Sequence, residues 1–121
     1  MVASDDRLSS AVNLVLLYVP CRDEEEAASL GRRLVEEGLA ACANVVGTIR
    51  SFFFWEGELA EEREALLLAK TEKDLFPRVE EFLLAHHSYS LPAILALPVL
   101  GVNEGFREWV REVLRRPHPA G

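Results

Sequence analysis

The sequence predicts an α+β fold. An antiparallel sheet carries its helices on one face, in the order β-α-β-β-α-β with an extra C-terminal helix. Three observations predict it. An apolar run of strand length lies near the start (residues 12–19, VNLVLLYV). Two β-rich segments meet at Glu56-Gly57 with no helix between them. Apolar stripes at helical spacing occupy three other segments.

Residues 12–19 are apolar at nearly every position, as in a central strand buried on both faces. Asp23 can cap a first helix, and Glu26 stands three residues later in capping-box spacing. Glu24, Glu25 and Glu26 complement the positive end of its dipole. Ala27, Leu30, Gly31, Leu34 and Val35 form its apolar stripe, and Gly38 is a stop. Residues 39–55 (LAACANVVGTIRSFFFW) and 58–71 (ELAEEREALLLAKT) read as one long hairpin turning at Glu56-Gly57. Asp74 can cap a second helix, with Pro77 tolerated in its first turn. Its stripe runs through Leu75, Val79, Phe82, Leu83 and His86. Residues 91–100 (LPAILALPVL) read as a fourth strand. Pro92 and Pro98 are six apart, so both missing N–H groups face the same neighbour, which suits a sheet edge. Asn103 is expected to cap a last helix bearing Phe106, Trp109, Val110 and Val113. The arrangement is a ferredoxin-like sandwich. One domain is expected over residues 11–115, with tails at 1–10 and 116–121.

The hairpin breaks a rule of that architecture. A sheet with helices on one face should alternate apolar and polar side chains. Here Phe52 and Phe54 point one way while Phe53 and Trp55 point the other, and Leu66 and Leu68 oppose Leu67 and Ala69 in the same manner. Each covered aromatic buries about 150–250 Å². A bare set would exceed the apolar patch that monomers usually expose. The expectation is that another copy covers it, unless a bulge near Gly47 rotates part of the hairpin.

Composition narrows the function. The chain has 121 residues, 50% of them hydrophobic, and a formal net charge of -7. That balance argues against nucleic acid and an anionic membrane, since phosphate binding needs a basic patch. Cys21 and Cys42 form neither a CxxC motif nor a disulfide framework. No basic leader opens the sequence, and the most apolar run, residues 91–102, is too short to cross a bilayer. These features place the expectation in a reducing cytoplasm. There is no G-x-S-x-G, P-loop, H-E-x-x-H or G-x-G-x-x-G, so no enzyme is expected.

The candidate chemistry lies in HHSYSLPAI, residues 86–94. Neighbouring helical residues point about 100° apart. His86 and His87 can therefore share an ion only if the helix ends between them. Cys21 joins them if the first and fourth strands are neighbours. Imidazole with thiolate suits copper or zinc rather than calcium or magnesium. A thiol at a helix N-terminus would have its thiolate favoured. The plainer reading is that two histidines end a helix where its dipole is negative. Lys70 reads as a snorkelling strand-end charge and Tyr89 as a hydroxyl bonded to a backbone carbonyl, with Trp55 at the hairpin tip. Asn44 reads as a buried amide, and Glu61, Glu62 and Glu64 as a solvated strand edge.

In order along the chain, VNLVLLYVPCRDEEEA, LVEEGLAACANVV, FFFWEGEL, EALLLAKT, HHSYSLPAILALPV and FREWV resemble the CutA divalent-cation-tolerance family, over residues 12–114. The resemblance implies homotrimers of ferredoxin-like subunits, similar to the PII signalling proteins, with hairpins packed between subunits. It implies binding of divalent cations, copper foremost, and a part in metal tolerance. The alternative it carries is a PII-like signalling or small-molecule module with ligands between subunits, in a pocket that the resemblance would place near Trp55, Lys70 and Tyr89. The chain departs from the family's usual pattern at Ser88, Ser90 and Ala93, where a proline and two carboxylates are usual.

Overall fold

The computed structural model describes residues 13–116. The expected tail at 1–10 lies outside them, as does 117–121. The elements are β1 (Leu14–Cys21), α1 (Glu24–Glu36), β2 (Cys42–Trp55), β3 (Glu58–Glu72), α2 (Phe76–His86), β4 (Leu95–Pro98) and α3 (Glu104–Arg115). The four strands form one antiparallel sheet in the order β2-β3-β1-β4. This is the predicted ferredoxin-like topology with its added C-terminal helix.

The core lies between the sheet and the first two helices. Val15, Leu17, Val19 and Cys21 of β1 alternate inward beside Ala65, Leu67 and Ala69 of β3. They meet Ala27, Leu30 and Leu34 of α1 and Val79, Phe82 and Leu83 of α2. Gly31 lets α1 approach closely. A Cβ there would stand 2.8 Å from Leu67 Cδ1 and 3.1 Å from Ala43 Cβ. A smaller cluster joins Leu14, Ala41 and Val110 to Phe106, Val113 and Leu114 of α3.

Caps follow the sequence only in part. Asp23 accepts a hydrogen bond from the Glu26 N–H, as predicted. Asp74 does not cap α2; it sits in a short 3-10 turn, Lys73–Leu75, and accepts from Asn13. Asn103 occupies the N-cap of α3 without a side-chain bond. β4 is shorter than expected, and Pro92 precedes it. The Val99 N–H donates to the Leu14 carbonyl, so by alternation the Pro98 nitrogen faces away from β1. That is the edge position its missing N–H demanded.

The hairpin turns on Glu56 and Gly57, both at positive φ (51° and 85°), as a two-residue primed turn requires. The ladder slips between Val46 and Ile49, where two residues of β2 oppose one of β3. This is a bulge at Gly47. It inverts the parity of β2, so Phe53 and Trp55 continue the face away from the helices. Phe52 and Phe54 continue the other face, beyond the reach of any helix, and all four aromatics are exposed.

The face away from α1 and α2 is largely apolar over the rest of the sheet too. One row runs Asn44, Leu68, Tyr18, Leu95 across all four strands. The next runs Cys42, Lys70, Leu16, Leu97. Tyr18, Leu95, Leu97 and Val46 are exposed. The uncovered apolar surface is thus wider than the hairpin.

Candidate metal centre

β1 ends at Cys21, directly before the N-terminus of α1. α2 stops at His86, and His87 turns to extended geometry (φ -72°, ψ 142°). These two chain ends meet. One donor atom each from Cys21, Glu26 and His87 lie within 4.8 Å of one another, and all three residues are buried.

Each donor already has a partner. The His87 Nε2–H donates to the Pro20 carbonyl (2.9 Å), and Nδ1 accepts from the Tyr89 N–H (3.1 Å). A carbonyl can only accept and an amide N–H can only donate, so the ring is the neutral Nε2–H tautomer. The Cys21 thiol contacts the Val19 carbonyl at 3.5 Å. Glu26 Oε1 accepts from the Arg22 N–H (2.8 Å) and the Ser88 hydroxyl (2.9 Å), and Oε2 accepts from the Ser88 N–H (2.8 Å).

The surroundings are acidic. Burial, then the Glu26, Glu64 and Asp23 charges, push the Cys21 thiol up to about 12, against the weaker pull of Arg22. This reverses the expectation of a dipole-stabilised thiolate. Burial also favours the neutral form of Glu26. The donors Arg22 and Ser88 outweigh it and leave the carboxyl below its ordinary value of 4.5. The stability Glu26 contributes is therefore complete above the ordinary carboxylate range. It is lost as pH falls through the lowered folded value. Urea unfolding is expected to show falling stability below pH about 5, with a flatter pH profile in Glu26→Gln.

The donor chemistry fits a borderline cation. Around a tetrahedral ion of zinc size, thiolate and imidazole donors stand about 3.5 Å apart. The three groups must therefore draw inward by roughly 1 Å, and Cys21 and His87 must each release a hydrogen bond.

The sequence candidates separate in the structure. Cys21 and His87 come together. His86 lies outside the group: its Nδ1–H donates to the Phe82 carbonyl (2.8 Å), and its Nε2 faces Arg33 at 3.4 Å. Glu26 joins although its spacing marked it only as a cap. Its side chain bonds the Arg22 N–H rather than that of Asp23. Glu64 is buried, not part of a solvated edge, and accepts from the Tyr89 hydroxyl at 2.5 Å. Burial and this carboxylate raise the Tyr89 phenol. Asn44 is exposed rather than buried, and accepts from Lys70 Nζ (2.8 Å).

Trp55, Lys70 and Tyr89 do not converge within one protomer. Trp55 pairs with Glu58. At about 3.3 Å per residue, Glu58 lies about 40 Å along β3 from Lys70. Tyr89 bonds Glu64, midway between them.

The sequence model of the CutA1 divalent ion tolerance protein matches residues 15–113. The chain belongs to the CutA1 divalent ion tolerance family. The Divalent-cation tolerance protein CutA of Thermus thermophilus is 43% identical over 99 residues, covering 82% of this chain and 94% of that relative. The chloroplastic Protein CutA 1 of Oryza sativa is 35% identical over 107 residues. The match covers 88% of this chain but only 60% of that longer relative. Among solved structures, CutA1 from Oryza sativa aligns with a TM-score of 0.83 at 34% identity, covering 90% of this chain and all of that one. The periplasmic divalent cation tolerance protein CutA from Archaeoglobus fulgidus gives 0.82 at 34% identity, covering 84% and 99%. CutA1 is an ion-tolerance family, not an enzyme family. Among the described residues, no helix is long and apolar enough to cross a membrane.

Proposed function

We propose that this CutA1 protein binds a divalent cation, copper foremost, at Cys21, Glu26 and His87, and acts in metal tolerance as a homotrimer. The observation that carries the site is the convergence of thiol, carboxylate and imidazole donors within 4.8 Å. A sulfur–nitrogen–oxygen set favours copper or zinc over magnesium or calcium. His87 and Cys21 supply the soft donors, Glu26 supplies charge, and His86 stands beside them on the helix end. Ligation requires the thiolate, so binding displaces the Cys21 proton and strengthens as pH rises.

The trimer reading rests on the apolar outer sheet face and the bare hairpin aromatics. The free cysteines suit a reducing cytoplasm. Anaerobic calorimetric titration with copper tests the site. Cys21→Ala and His87→Ala are each expected to weaken binding at least tenfold, about 1.4 kcal/mol. Equal affinity and stoichiometry in wild type and both variants would remove the site.

The second reading is a PII-like module holding a small ligand between subunits near Trp55, Lys70 and Tyr89. Their separation along β3 favours it only in an assembly, where one copy's hairpin tip lies on another's sheet. A melting shift with an organic anion and none with copper would select it.

A further inference from the structure

We propose that Ser88 sets the affinity of the Cys21, Glu26 and His87 group for a soft divalent cation, by competing with the ion for Glu26. The inference rests on the metal-binding reading above. A carboxylate oxygen offers about two lone-pair sites. On Glu26 Oε1 both are taken, one by the Arg22 N–H and one by the Ser88 hydroxyl. On Oε2 the Ser88 N–H takes one, and the Arg22 guanidinium stands 3.9 Å away.

The Arg22 cation, 3.9 Å from Oε2, repels a second cation there, so an ion is directed to Oε1, where it must displace a donor. The Arg22 N–H is fixed by the chain entering α1. The Ser88 hydroxyl sits on a rotatable side chain and yields first. Its bond to an ionised carboxylate is of the stronger, charge-assisted kind, so breaking it weakens binding of the ion. Ser88→Ala deletes the hydroxyl and keeps the N–H bond to Oε2. It frees one site on Oε1 and leaves the Cys21 and His87 donors in place.

Zinc, added alone to the full-length protein, is a suitable probe because it has no redox chemistry with the thiol. Calorimetric titration is expected to show Ser88→Ala binding zinc about tenfold more tightly than wild type, about 1.4 kcal/mol. Ser88→Thr retains a hydroxyl and is expected to bind as wild type. The metal-free melting temperature of Ser88→Ala should not rise, since a stabilising hydrogen bond has been lost. A merely structural Ser88 would lower that temperature and leave zinc affinity equal or weaker. That result, with Cys21→Ala still weakening binding, overturns the role of Ser88 and leaves the site intact. Unchanged zinc binding in Cys21→Ala would overturn the site, and the role of Ser88 with it.

Discussion

Leu67→Ala is expected to cost about 2–5 kcal/mol of stability, compared at fixed protomer concentration. Leu67 is fully buried on β3, packed against α1 where Gly31 leaves no room for a side chain. Truncation removes Leu67 Cδ1, the atom a Cβ at Gly31 would strike hardest, and leaves only Ala43 Cβ at 3.1 Å. Gly31→Ala alone gains helix propensity, roughly 1 kcal/mol, but overpacks against Leu67 at a cost of about 1–3 kcal/mol. In the double variant the added methyl enters the vacated space. The two changes are therefore expected to be non-additive by about 1 kcal/mol or more, with the double variant more stable than the sum predicts. Denaturant unfolding of the four proteins measures this. Strict additivity would show that helix and sheet do not meet at this point as described.

Phe53→Asp with Trp55→Asp is expected to have the largest effect on assembly. Beyond the bulge at Gly47 both residues continue the outer sheet face, and both are exposed in a lone protomer. Aromatic anchors at the centre of an interface contribute about 2–4 kcal/mol each when truncated. Two new carboxylates add a desolvation cost and repulsion between copies. The variant is expected to run as a smaller particle while keeping its secondary structure, since neither side chain enters the core. Unchanged association would show that the hairpin tip lies outside the contact.

Most of the fold was legible because its signals are local. The apolar run of β1, the capping spacing at Asp23, the turn at Glu56-Gly57 and the prolines at the fourth strand each act over a few residues. The site was less legible because it forms where distant segments meet. Cys21 and His87 are 66 residues apart, and only strand order brings them together. Glu26 was hidden by a competing local explanation. Its spacing from Asp23 is that of a capping box, yet its carboxylate turns to Arg22 and Ser88. Glu64 was hidden by its neighbours. Glu61 and Glu62 are solvated, and only the Tyr89 hydroxyl shows that Glu64 is not. The thiol was misjudged because helix position suggested a stabilised thiolate, whereas burial and three nearby carboxylates dominate. The outer sheet face was only half seen: the hairpin aromatics announced it, but Tyr18, Leu95 and Leu97 join it through the pairing of β1 with β4.

The decisive measurement concerns that uncovered face. Sedimentation of the wild-type chain at micromolar concentration is expected to give a particle of three 13.5 kDa chains. A single, well-behaved species of 13.5 kDa would mean that the aromatic ribbon and the outer sheet face tolerate water, and would contradict assembly as their explanation.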